Sequence, residues 1–449
     1  MASKATAEKA RRDLEIALAN ILFQVTTRIK DAPPRQDLVH AIPNEILIEI
    51  GRHVLFRDDN GDDFPTHDLD RDHHRDLDRI ALTAVCRRWR AVFSLGEFWA
   101  DLTLSDHRPN RKPRLAENQI SMVSRQKLDA FLAKGNVVTF DSQELDSTGE
   151  LAAVLDGMRG RSGSLKYWQV SLPRGRPRDF FWRIWTAQDT FRLERLSIRD
   201  QYEETLLWSP PRGLDVSSLG VLEFADSEVD LVALSLYLPH LRKLRLRDCS
   251  LDNPGSTNPG RAVINFPDMQ TLAFTGGELA DAPGVEPDKV VFDLPNLVSL
   301  HIEFGNSHSM VPCVLPPPPR PHHPHLARLV LGIFESENAL LQILCRHPTL
   351  VEVSLLNWLE ISAKTLDALA NGCCSALRVL RAPTNTTDTL ASLVSMVRAR
   401  HDAAARGEEI TALWVFEDLG VEGASLSSEQ QEWMWAHLRE LMGYGPRPK

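Results

Sequence analysis

The chain has 449 residues, enough for about three ordinary domains or one long repeat array. Its 43% hydrophobic and 25% charged content is that of a folded protein rather than a disordered one. With 51 basic and 61 acidic residues the net charge is −10, which argues against general nucleic-acid binding.

Six cysteines are too few for a disulfide framework, and none shows zinc-ligand spacing; Cys373 and Cys374 are adjacent and cannot clamp one metal. A reducing interior, cytoplasmic or nuclear, is therefore expected. No stretch approaches the roughly 18 apolar residues of a membrane span, so no membrane partner is expected.

In residues 1–38, Leu14, Leu18, Leu22, Val25 and Ile29 recur at spacings of three and four, which predicts an amphipathic helix ending at Pro33-Pro34. A signal peptide would need a small-residue cleavage site, whereas Thr26-Thr27-Arg28 follows the apolar run.

Residues 39–97 read differently. Pro43 suits the first turn of a helix whose apolar stripe is Ile46, Leu47, Ile50, Val54 and Leu55. A second helix is predicted to carry Leu82, Val85, Cys86, Trp89 and Phe93. Short helices with broad apolar faces bury little by themselves. What they leave exposed is either a partner site or the surface that caps the following repeats. Between them lies a polar insert near 57–78. Aligning Gly61 with the turn glycine of a calcium loop puts Phe56 and His67 at ligand positions, which fails. His67, His73 and His74 read as a solvated loop, and no metal is expected.

Residues 98–425 carry a recurring aliphatic pattern, Leu-x-x-Leu-x-Leu. It begins at Leu193, Leu219, Leu241, Met269, Leu297, Leu326, Leu350 and Leu377, at separations of 22 to 29 residues. Weaker copies are read at Val137/Phe140, Leu165/Trp168/Val170 and Ile410/Leu413/Val415, and Leu102 and Leu104 read as a first strand. Several copies follow a proline: Leu238-Pro239, Phe266-Pro267, Leu294-Pro295, His323-Pro324 and His347-Pro348. The period is that of leucine-rich repeats. Each copy predicts a short strand with two side chains inward, stacked on its neighbours into a parallel sheet with returns on the other side. Helical returns are predicted at 339–346, 363–370 and 389–400.

The outward positions Arg195, Arg199, Lys243, Arg245 and Arg247 predict a basic band suited to an acidic or phosphorylated protein segment, flanked by Glu223 and Glu303. Pro316 to Pro319 read as a stiff loop. No phosphate-binding glycine loop or nucleophile elbow occurs, so no catalytic residue and no cofactor is expected. In residues 426–449, Ser428 and Gln431 predict a capping box opening a helix with Trp433, Met434, Leu438 and Leu441, followed by a loose tail.

The order Ile42-Pro43-x-Glu45-Ile46-Leu47-x-x-Ile50, then Leu82-x-x-Val85-Cys86-Arg87-x-Trp89-Arg90, then Phe98-Trp99 with Leu102 and Leu104, resembles an F-box. More narrowly, it is similar to fungal F-box proteins with degenerate leucine-rich repeats, the motif covering residues 41–104. The resemblance implies an all-α F-box module before an α/β leucine-rich-repeat solenoid. It implies a non-catalytic substrate receptor of an SCF-type ubiquitin ligase. The adaptor, and through it cullin and RING subunits, would bind at Pro43, Ile46, Leu47, Ile50, Leu82, Val85, Cys86 and Trp89. Some of these must instead hold the module together. An F-box normally crosses the 57–78 gap in far fewer residues, so a repeat scaffold with a vestigial F-box is the alternative.

Overall fold

The computed structural model describes residues 42–55, 82–85, 87–93, 95, 99, 101–105, 128–129, 131, 133, 137–144, 165–172, 192–200, 217–251, 262–275, 290–303, 314–315, 323–332, 336–356, 361–383, 387–418 and 426–442. The N-terminal helix, Cys86, the 57–78 insert and the 316–319 prolines predicted above lie outside them. The chain forms two compact units, one of Met1–Leu104 with Ser121–Asp141 and one of Ser105–Ile120 with Ser142–Lys449. Strands β1 (Asp101–Ser105) and β2 (Thr139–Glu144) fall across the divisions.

In the first unit, α1 (Asn44–Leu55) starts where Pro43 allows it, with the Leu47 amide donating to the Pro43 carbonyl at 3.2 Å. The predicted second helix is broken. Residues 82–84 are helical, Val85 lies in a bend, and α2 runs Arg87–Phe93. Leu47, Val92 and Phe93 form the interior of this pair. The Trp99 indole donates to the Phe93 carbonyl at 2.7 Å and meets Phe131 edge-on at 5.0 Å.

In the second unit the main sheet is built from β3 (Tyr167–Leu172), β4 (Arg195–Asp200), β5 (Val221–Ala225), β7 (Lys243–Arg247), β10 (Thr271–Thr275), β12 (Ser299–Ile302), β13 (Arg328–Leu331), β14 (Glu352–Leu355), β15 (Val379–Ala382), β16 (Val415–Asp418) and β17 (Glu440–Met442). They lie side by side in that order, all parallel. The register aligns the leucine pattern across the sheet. Leu196, Leu222, Leu244, Leu272, Leu300, Leu329, Val353, Leu380 and Phe416 form one buried row, and Ile198, Phe224, Leu246, Phe274, Ile302, Leu331 and Leu355 form the next. This unit is an α/β solenoid of leucine-rich-repeat type.

The return segments differ along the chain. Short strands β6 (Glu228–Val229) with β8 (Ser250–Leu251), and β9 (Ala262–Asn265) with β11 (Val290–Asp293), form two further parallel pairs. Helix α3 (Leu231–Tyr237) follows β6 in the same return, and α4 (Glu337–Arg346), α5 (Ala363–Ala370) and α6 (Thr387–Ala405) occupy later ones. Asp230, Ser336 and Ser362 cap α3, α4 and α5 by accepting an amide hydrogen bond three residues on.

The proline lead-in has a structural cause. Leu238, Phe266, Leu294, His323 and His347 are each buried, and each carbonyl accepts from the amide three residues later, at 3.1 to 3.2 Å. Proline at the second position of such a turn fixes the required backbone angle. Cys374 closes the same turn without a proline, its carbonyl accepting from Leu377 at 2.9 Å and its own φ at 53°.

Three expectations shift. In the 410–415 copy the inward pair is Leu413 and Phe416, while Val415 aligns with the outward Val379. The capping box is Ser427 with Gln430, one residue earlier than predicted, because Ser-Ser-Glu-Gln-Gln offers both registers and Ser427 takes the extended conformation. Its helix α7 (Ser428–His437) ends before Leu438, and the Leu438-x-x-Leu441 copy leads into one more repeat strand, β17, instead of continuing the helix.

Two anchors tie the later repeats together. Arg400 is fully buried, and its guanidinium donates to the carbonyls of Leu369, Cys374, Ser375, Leu377 and Thr411 at 2.8 to 3.2 Å. Burial pulls its pKa down to about 10, so it stays charged at neutral pH. Cys345 and Cys373 are disulfide-bonded, 28 residues apart, where the cysteine count pointed to reduced thiols. Counting cysteines detects a framework of bridges and passes over a single one.

Replacing Arg400 with Leu strands those carbonyls without donors and should destabilise this unit by about 4 kcal/mol, read as a fall in the urea midpoint. Arg400→Lys, which reaches fewer of them, should cost less. Reducing the Cys345–Cys373 bridge should lower stability by about 3–4 kcal/mol, the chain-entropy value for a loop of this length. Cys345→Ser should abolish that sensitivity to reductant.

Candidate functional site

Two sets of residues stand out: the apolar side chains of the α1–α2 unit, and the outward face and leading edge of the repeat sheet.

In the first unit the seven predicted adaptor positions that are described, all but Cys86, separate by burial. Leu47 is fully buried and belongs to the interior. Ile50, Leu82 and Trp89 are half-buried, and Pro43 is exposed. Ile46 and Val85 stand out at 38% and 51% exposure. Val85 is exposed because the chain bends there instead of continuing a helix.

Sequence reasoning missed Arg88, which occupies a variable position of the motif. Its guanidinium donates twice to Asn44 Oδ1, at 3.0 and 2.7 Å, and also to the Ile42 carbonyl. One side chain thus holds the start of α1 against α2. The Trp89 indole nitrogen is buried with no acceptor among the described residues.

In the second unit the predicted basic band is interleaved with β5. Arg195, Val221 and Lys243 share one outward row; Ser197, Glu223 and Arg245 share the next; Arg199, Ala225 and Arg247 the third. Arg199 is paired with Asp226 at 3.0 Å, and Arg245 lies 3.9 Å from the largely buried Glu223. The middle row continues through Ala273 to His301. Burial pulls the His301 pKa down, against the pull of Glu303 at 3.1 Å and with the push of Arg245. The band is therefore a mixed-charge surface, because β5, the repeat that begins at Leu219, sets Glu223 between the two groups of cations.

A second charged array lies on β13 to β16. Arg328 pairs with Glu352 at 2.9 Å, Glu352 with Arg381, and Arg381 with Glu417 at 2.9 Å. Arg381 also donates to Ser354 Oγ at 3.2 Å. Alternating signs on adjacent strands cancel, so this array stiffens the sheet more than it attracts a charged ligand. Burial alone would raise the Glu352 pKa, but hydrogen bonds and charge from Arg381 and Arg328 outweigh it and hold the carboxyl below its ordinary 4.5.

The residues that lead into each strand form a further row. From Lys166 through Glu194, Gly220, Arg242, Gln270, Val298, Ala327, Val351, Arg378 and Trp414 to Arg439, each amide donates to the carbonyl of the previous member at 2.7 to 3.0 Å. At the first end Lys166 pairs with Glu194 at 2.7 Å, and the Arg242 guanidinium covers Gly220, where an added Cβ would meet it at 2.8 Å. At the other end Arg378 and Arg439 stack on the Trp414 ring, 4.2 and 4.0 Å from its centre. No pattern of leucines signals this row; only the register brings it together.

Among the described residues there is no group of three or more His, Cys, Asp or Glu able to hold a metal ion, and no helix long and apolar enough to cross a membrane.

No established family profile matches the sequence, and no curated protein matches it. Among solved structures the chain is similar to the crystal structure of an internalin from Listeria monocytogenes, at 13% identity and a TM-score of 0.28. The match covers 60% of this chain and 61% of that one, so the chain spans less than two thirds of that protein's length. The repeat fold assigned above rests on strand order and register rather than on this likeness.

Glu352 has a folded pKa below its unfolded value, so it stabilises the protein fully above about pH 4.5 and loses that contribution as the pH falls through the lower value. Glu352→Gln should cost about 1 kcal/mol at neutral pH. It should also show a smaller further loss than wild type when urea midpoints are compared between neutral and acid pH.

Proposed function

We propose that this chain is the substrate-recognition subunit of an SCF-type ubiquitin ligase. It docks the adaptor through the α1–α2 unit and holds a protein substrate on the repeats. It performs no chemistry itself; the adaptor links it to cullin and RING subunits, which supply the ubiquitin-transfer machinery. The observation that carries this reading is the exposure of Ile46 and Val85, at 38% and 51%, within the F-box-like motif. A unit whose interior is already closed by Leu47, Val92 and Phe93 has no internal use for them. Apolar side chains held out at motif positions are the kind that a partner covers.

Such a receptor works inside the cell, where the Cys345–Cys373 bridge is open to reduction by cellular thiols. The 57–78 insert favours a second reading, a repeat scaffold that mediates protein interactions without a ligase, because it lengthens the motif at its centre.

The test is co-purification with an SCF adaptor, using wild type beside Ile46→Glu/Val85→Glu. Saturable capture by wild type is expected, with at least about tenfold loss in a double variant that melts as wild type does. Leu47→Ala would not serve, since it opens a cavity in the interior. If wild type captures no adaptor, the ligase reading falls and the scaffold reading replaces it.

A further inference from the structure

The cations of the repeat sheet are not equivalent. Arg199, Arg328 and Arg381 spend their guanidinium N–H groups on carboxylates, and Lys166 is matched by Glu194. Arg378 and Arg439 differ. Both are exposed, and neither has an ion-pair partner among the described side chains. Each instead lays its face on Trp414, at 4.2 and 4.0 Å from the ring centre.

A guanidinium stacked by its face keeps its in-plane donors. The indole therefore orients two forks without consuming them, whereas an ion pair orients a fork by using it up. The stack is also fixed from below. Trp414 is hydrogen-bonded through its backbone to Arg378 on one side and Arg439 on the other, at 2.8 and 2.7 Å. The same leading edge runs back from Arg378 through Val351 and Ala327 to Val298, which is 42% exposed. Apolar residues thus lead up to two oriented cations, unpaired among the described side chains, in a protein of net charge −10.

We infer that the Arg378–Trp414–Arg439 edge is a docking surface for an anionic protein segment, one whose apolar residues lie along Val351 and Val298 and whose acidic groups meet the two guanidiniums. Both guanidinium carbons lie over the one Trp414 ring, so they stand no more than about 8 Å apart, about two residues of extended peptide. Two anionic side chains two residues apart, which share one face of an extended segment, therefore fit the pair. Carboxylates and phosphates both match the forked donors, so acidic and phosphorylated segments share the chemistry. This names a substrate chemistry for the receptor proposed above; its test contains no adaptor, so the two readings fail separately.

The probes are three fluorescent peptides with a valine-rich first half and, two residues apart in the second, two phosphoserines, two aspartates or two alanines. Anisotropy titrations use the full chain. Wild type should bind at least one charged peptide about tenfold or more tightly than the alanine peptide, and less tightly as salt is raised. The stronger of the two identifies phosphate or carboxylate as the natural group. Arg378→Gln/Arg439→Gln should remove that preference, while Arg199→Gln, whose guanidinium is already paired, should leave it within about twofold. Equal binding of all three peptides by wild type, or a charge preference that survives the double substitution, would overturn the inference. Both arginines are exposed, and matching melting curves exclude misfolding as the cause of a loss.

Discussion

Four or five residues in a strand, with two leucines on one face, cannot bury those leucines alone. Each repeat of this protein depends on the next to cover its apolar face, and the coverage works only if every strand enters the sheet at the same height. A buried turn before each strand from β7 to β15 on the main sheet sets that height. Leu238, Phe266, Leu294, His323, His347 and Cys374 each accept a hydrogen bond from the residue three positions later, the first aliphatic residue of the pattern. Repetition of that offset keeps the leucine rows aligned from β7 to β15, even though the return segments vary between short strands and helices. The fold is thus a chain of nearest-neighbour contacts, and Arg400 and the Cys345–Cys373 bridge strengthen such contacts where the returns are helical.

The repeat architecture was legible because its signal is periodic and apolar. Burial of leucines is enforced in every copy, so the pattern survives although the residues between vary. The helical returns at 339–346, 363–370 and 389–400 were legible for the same reason, whereas α3 was not predicted. The misplacements occur where local sequence is degenerate. Ser427 and Ser428 both stand three residues before a glutamine, and Leu438-Arg439-Glu440-Leu441 satisfies helix spacing and repeat spacing equally. Tertiary pairing with β16 decides the second case, and no local propensity contains that information.

The interaction surfaces were legible only in part. Apolar positions of the F-box-like motif can be named from sequence, but Leu47 and Ile46 are neighbours in the chain and go to opposite fates, one interior and one exposed. The bend at Val85 decides another. Charges were less legible still. The arginines of the repeats form an apparent basic band when counted by position. Register then sets Glu223 between Ser197 and Arg245 and brings Asp226 onto Arg199. The Arg378–Trp414–Arg439 stack is invisible in the sequence because its members are 36 and 25 residues apart and belong to no motif.

The turn-and-offset design also dictates which changes of length the gene can accept. Distance from turn residue to inward leucine is three residues in every described copy that has the turn, while the distance between copies ranges from 22 to 29. A codon gained in a return loop lengthens a surface segment at small cost. The same codon gained between turn and strand would shift every following side chain to the opposite face of that strand. Length drift among descendants of this sequence should therefore concentrate in the returns, and whole repeats should be lost or duplicated more readily than single residues in the lead-ins.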